Sequence, residues 1–116
     1  MKRLVLTILL ACALRAADVT GAWDFAVELS MGSGTPLIVF KQDGNKLTGT
    51  YSGTLGEAPI TGKIDGDRIE FSFEAEAAGQ KFRATYKGVV KDAKTMQGTV
   101  DYGGIGDGKF TAKKRE

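Results

Sequence analysis

From Gly21 onward, apolar and polar residues alternate with a period of two. That is the pattern of strands with one face buried and the other in water. It is clearest over Ile69-Glu-Phe71-Ser-Phe73-Glu-Ala75-Glu76, where odd positions are apolar and even positions polar. The next stretch inverts the parity: Phe82, Ala84, Tyr86 and Gly88 are apolar or small, and Lys81, Arg83, Thr85 and Lys87 are polar. A turn over residues 77–80 puts the two in register, with Glu76 opposite Lys81, Glu74 opposite Arg83 and Glu70 opposite Lys87. The same register sets Phe73 opposite Ala84 and Phe71 opposite Tyr86. One pairing satisfies both faces, and a slip of one residue would turn the apolar set to solvent.

The rest of the chain reads the same way. A first strand, Thr20 to Leu29, carries Trp23, Phe25, Val27 and Leu29 on one face. A second runs from Pro36 to Gln42, followed by an Asp43-Gly44 turn signal that sets Phe40 opposite Leu47. A third, Lys46 to Gly53, turns Leu47, Gly49 and Tyr51 inward; a fourth, Ala58 to Asp65, turns Ile60, Gly62 and Ile64 inward. A Gly66-Asp67 turn then faces Asp65 with Arg68. The seventh strand, Thr95 to Tyr102, presents Met96, Gly98 and Val100; the eighth, Gly108 to Lys114, presents Phe110 and Ala112. No window reads as a helix, and the connections are short, so the expected fold is all-β, a single antiparallel up-and-down meander of about eight strands. Closing it into a barrel buries the apolar face and removes both edges. A two-sheet β-sandwich is the alternative.

Residues 1–17 have a different character. Met1-Lys2-Arg3 precedes an apolar run, Leu4 to Leu10, and then small residues. These are the parts of a secretory signal peptide, which leaves residues 18–116 as the barrel domain. Cleavage fits after Ala13 or after Ala17, and Leu9-Leu10-Ala11-Cys12 also resembles a bacterial lipobox, in which Cys12 would be acylated. The expected location is therefore exported, periplasmic or secreted, with membrane attachment only through lipidation at Cys12. Lys2, Arg3 and Arg15 belong to this segment, so the domain keeps 16 − 3 = 13 basic residues against 14 acidic, a formal charge of −1. A domain near neutrality has no global field to attract nucleic acid.

The chain has no histidine, and no cysteine beyond Cys12. That removes Ser-His-Asp and Cys-His catalysis and the common zinc sites, and no enzyme, metal or cofactor is expected. Glu28, Glu70, Glu74 and Glu76 fall on the outward face and read as surface charge. Asp65-Gly66-Asp67 lacks the later ligands of a calcium loop and reads as a hairpin turn. Residues 103–108 form a glycine-rich connection that reads as a long hairpin loop or a lid over one barrel mouth.

The interior is the informative part. Gly49, Gly62, Gly88 and Gly98 fall on the inward face, where they either let the sheet curl tightly or leave space for a ligand. Trp23, Phe25, Tyr51, Phe71, Phe73 and Tyr86 are the other candidate lining residues, and Phe40, Phe82 and Phe110 add to a core that tends to be filled. An eight-stranded barrel sits at the size where either outcome is available. Tyr51 and Tyr86 need partners for buried hydroxyls, from a ligand or from the protein. Two functions follow: a non-catalytic barrel that binds a small apolar ligand, or an envelope or extracellular interaction domain with a filled core.

Gly21-Ala22-Trp23, Leu47-Thr48-Gly49-Thr50-Tyr51 and Ile60-Thr61-Gly62-Lys63 resemble segments of the calycin group of meander barrels, the avidins and lipocalins. The resemblance covers most of residues 19–114. It implies a closed barrel whose first-strand tryptophan packs beside a basic residue of the last strand, here Lys113 or Arg115. The avidin biotin-binding residues are missing: Asp24 and Phe25 follow the tryptophan, position 53 is Gly53, and Trp23 is the one tryptophan. Of that set Tyr51 remains. The Gly-Thr-rich hairpins also resemble those of small exported bacterial domains.

Overall fold

A computed structural model describes residues 18–30, 32–77, 79–103 and 106–115. The signal-peptide and Cys12 readings lie outside the described residues. Among the described residues nine strands follow in order: β1 (Gly21–Leu29), β2 (Gly32–Gly34), β3 (Leu37–Asp43), β4 (Lys46–Gly53), β5 (Gly56–Asp65), β6 (Arg68–Ala77), β7 (Gln80–Asp92), β8 (Thr95–Asp101) and β9 (Asp107–Lys114). All pair antiparallel with their neighbours, and β1 also pairs with β9 from Trp23↔Lys114 to Leu29↔Gly108. That seam closes an eight-stranded barrel and excludes the sandwich.

The ninth strand is a continuation. β2 and β3 meet β1 in one common register, Val27↔Gly34 above and Trp23↔Ile38 below, with Thr35-Pro36 interrupting the ladder. Pro36 supplies no N–H, and its carbonyl accepts from Phe25 N at 3.0 Å. The sequence reading stopped this strand at Pro36 because Gly32-Ser33-Gly34 carries no apolar alternation to see.

The β6–β7 register is the expected one, from Glu70↔Lys87 through Phe71↔Tyr86 to Glu76↔Lys81. Asp65 faces Arg68 across the Gly66-Asp67 turn. The β3–β4 hairpin departs from expectation. Its turn residues are Gly44-Asn45, which set Asp43 opposite Lys46, so Phe40 meets Gly49 and not Leu47. Gly44 takes φ 63°, a left-handed conformation that glycine adopts cheaply.

The two barrel ends are built differently. At the closed end, the second residue of each tight turn caps the next strand along: Asn45 O accepts from Ile64 N, Asp67 O from Val90 N, and Lys94 O from Lys114 N, at 2.7–2.9 Å. Val19 plugs that end, its carbonyl accepting from Trp23 Nε1 at 2.9 Å and its N–H donating to Gln42 Oε1. The basic residue opposite Trp23 is Lys114; Arg115 turns outward to Asp24. This corrects the partner implied by the calycin resemblance, because inward parity belongs to the even positions of the last strand.

Toward the other end, the β5–β6 ladder stops at Thr61↔Ser72, although both strands run on for five more residues. Extending the register would place Pro59 opposite Glu74 and Glu57 opposite Glu76. Counting outward from the turn, every second pair exchanges hydrogen bonds, and Pro59 falls on a position that needs an N–H. The next pair on that same face would oppose two carboxylates, Glu57 and Glu76, which disfavours pairing. The strands part there, leaving a side cleft of about 450 Å3 bordered by Glu57, Ala58, Ala75 and Glu76.

Candidate ligand site at the barrel mouth

Aromatic rings fill the middle of the barrel. Phe25 touches Phe40, Phe71, Tyr86 and Phe110 at centroid distances of 5.2–6.3 Å. Phe71 stacks on Tyr86 at 4.8 Å, and Tyr51 on Phe73 at 4.2 Å. Trp23 lies at the closed end, fully buried.

The inward glycines do not make space. A Cβ built on Gly49 would lie 1.9 Å from Val39 O, on Gly62 2.2 Å from Glu70 O, on Gly88 2.3 Å from Gln97 O, and on Gly98 2.0 Å from Lys87 O. In each case the obstacle is the backbone of the neighbouring strand. Gly88 and Gly98 face each other directly. These residues let a small, strongly coiled barrel bring its strands together, and the volume that a side chain would occupy is already taken. The reading of Gly49, Gly62, Gly88 and Gly98 as ligand space is corrected on that ground.

Open volume lies instead at the mouth opposite the Val19 plug. A half-open cavity of about 230 Å3 is walled by Val27 and Leu29 of β1, Pro36, Leu55 of the β4–β5 turn, and Phe82 of β7, with Tyr51 and Tyr102 at its floor. Of the ten candidate lining residues, Tyr51 alone reaches it; Trp23, Phe25, Phe71, Phe73 and Tyr86 lie below, in the packed core. The candidate lining set omits Tyr102, Phe82, Leu29 and Leu55, although Leu29 falls on the inward face of the first strand and Phe82 among the core aromatics. Tyr102 had a signal: it continues the inward parity of Met96, Gly98 and Val100.

All 3 tyrosines of the chain converge here. The hydroxyls of Tyr86 and Tyr102 share a hydrogen bond of 2.8 Å, and either can donate. Burial, and then the nearness of Tyr102, push the Tyr51 phenol up to about 12, while the Leu55 N–H pulls the other way. Burial raises Tyr86 well above the usual phenol range. It raises Tyr102 too, against hydrogen bonding from Tyr86 and Tyr51. All three therefore stay protonated at neutral pH. The described cavity lining carries no charged side chain. The carboxylates Glu28, Glu74 and Glu76 stand exposed on the outer face and Glu70 half-exposed beside them.

The fold places the chain among small closed antiparallel β-barrels. Two solved barrels share it: a redesigned β-barrel, mFAP1, bound to DFHBI (TM-score 0.60, 12% identity) and EF1p2_mFAP2b bound to DFHBI (TM-score 0.61, 10% identity). Each match covers 84% of this chain and 94% of the other. No family model matches the sequence. No curated protein matches it either.

Proposed function

We propose that the chain is an exported, non-catalytic β-barrel that holds a small apolar ligand at its open mouth. The observation that carries this is the apolar cavity of about 230 Å3 above a fully packed core. The two barrels of the same fold carry DFHBI, which supports a binding role for such a scaffold. A dry cavity of about 150 Å3 already accepts benzene, so this one suits a single ring with a short substituent. The basic start, apolar run and small residues up to Ala17 support export. The lack of histidine, and of cysteine beyond Cys12, supports a role without acid–base or nucleophilic catalysis.

Expression with the natural leader and native mass spectrometry of the exported protein tests both parts. The expected result is an adduct that organic extraction removes, on a chain starting at Leu14, at Asp18 or at acylated Cys12. A chain retained in the cytoplasm with Met1 intact refutes export. A bare mass, with no uptake of any added apolar probe, refutes ligand binding. The packed middle of the barrel favours a second reading, an envelope or extracellular interaction domain. That reading predicts a bare mass and a protein partner cross-linked through the outer face.

A further inference from the structure

We propose that the ligand carries one neutral hydrogen-bond acceptor, a carbonyl oxygen, on its ring-sized apolar body, and that the tyrosine cluster donates to that atom. This rests on the ligand-binding reading above and adds the polar half of the ligand to it.

The protons decide the chemistry. Tyr51, Tyr86 and Tyr102 are 3%, 0% and 7% exposed. Three phenols bring three protons to the floor of a half-open cavity, where water reaches a hydroxyl that the protein does not pair until a ligand displaces it. The Tyr86–Tyr102 contact consumes one of them. An approach of Tyr51 to Tyr102 consumes at most one more. The Leu55 N–H acts on Tyr51 as a donor, so it adds a proton and accepts none. Among the described residues, the side-chain hydrogen bond these phenols make is the one between Tyr86 and Tyr102. At least one O–H is therefore in surplus, and two of the three phenols, Tyr51 and Tyr102, line the cavity. An apolar ligand that displaced water here would leave that donor buried without an acceptor, which is costly, and an oxygen on the ligand removes the cost.

The acceptor is neutral because of its surroundings. A carboxylate would lose its hydration among Val27, Leu29, Leu55 and Phe82 with no cation beside it. A carbonyl gains the hydrogen bond without that penalty. The flat walls supplied by Phe82 and Tyr102, whose rings lie 5.8 Å apart, suit an aromatic body.

Acetophenone and cumene form the test pair. They have the same number of heavy atoms, and only the first has a carbonyl. Both are titrated by protein NMR into the wild-type domain and into a Tyr51→Phe/Tyr102→Phe double variant, which removes both cavity-lining hydroxyls and keeps the rings. Acetophenone should lose roughly tenfold in affinity in the variant, while cumene stays within about twofold. Parallel behaviour of the two probes overturns the inference and leaves the ligand site standing. If neither binds the wild type, the ligand site itself is refuted, and this inference with it. A readout without variants guards against misfolding: the carbonyl stretch of acetophenone bound to wild type should shift to lower frequency than in hydrocarbon solvent. An unshifted stretch overturns the proposal.

Discussion

Replacing Gly98 by alanine tests whether the inner glycines serve strand contact. The new Cβ would sit 2.0 Å from Lys87 O and 2.4 Å from Gly88 Cα, where ordinary contact begins at 3.4 Å. The strands must separate by about 3.4 − 2.0 = 1.4 Å at that pair, because both obstacles are backbone. Overpacking of this kind costs about 1–3 kcal/mol. Stretching the β7–β8 ladder around Gly88↔Gly98 weakens one or two hydrogen bonds, each worth about 1 kcal/mol. Against this, alanine stiffens the unfolded chain by about 0.4–1 kcal/mol. The net expectation is a loss of about 2–3 kcal/mol, a large part of the roughly 5–15 kcal/mol that holds a domain of this size. Urea unfolding followed by the fluorescence of Trp23, buried when folded, measures it. Gly34→Ala is the control, since nothing lies within 4 Å of its Cβ, and its expected change is under about 0.5 kcal/mol. If Gly98→Ala costs no more than Gly34→Ala, the crowding argument is wrong, and the glycines mark usable space after all.

The remaining expectations concern the parted strands and the phenols. Pro59→Val restores an N–H opposite Glu74, so hydrogen exchange at the Glu74 and Glu76 amides should slow relative to wild type; unchanged exchange would show that something other than Pro59 holds the strands apart. The tyrosine pKa values make the fold sensitive to alkali. A phenol whose pKa is raised on folding gives stability that is complete below the unfolded value of about 10 and lost as pH rises toward the folded one. For Tyr51 that window runs from about pH 10 to about 12. Tyrosinate absorbance should therefore appear together with loss of the circular dichroism signal; a tyrosine that ionises near pH 10 in the intact barrel would contradict its burial.

The β6–β7 register was legible because two independent codes agree on it: apolar alternation on one face and Glu-to-Lys or Arg pairing on the other. Where one code stands alone, the reading slips. Phe40 shifted from Leu47 to Gly49, a displacement of two residues that leaves every side chain on its own face. Alternation cannot detect such a shift, and only the conformation of Gly44-Asn45 decides it. The mouth cavity was hidden for a related reason. Whether an inward glycine is empty or crowded depends on the neighbouring strand's carbonyl, which no single-strand pattern reports. The count of inward aromatics pointed toward a filled core, but it could not decide between that and a ligand space while the glycines stood open to either reading. Leu55 could not be assigned, because a lone apolar residue in a turn looks the same whether it faces solvent or roofs a cavity.

The parting of β5 and β6 at Pro59 has a consequence for life at high concentration. Bare strand edges recruit further chains and seed fibres, and a barrel normally escapes this by having none. Here two edges lie open, yet the residues that border them are Glu57, Pro59, Glu74 and Glu76. An incoming strand would meet a missing donor and a row of carboxylates before it found a partner. The side chains that pry this wall open are also the ones that keep it from being completed by a stranger.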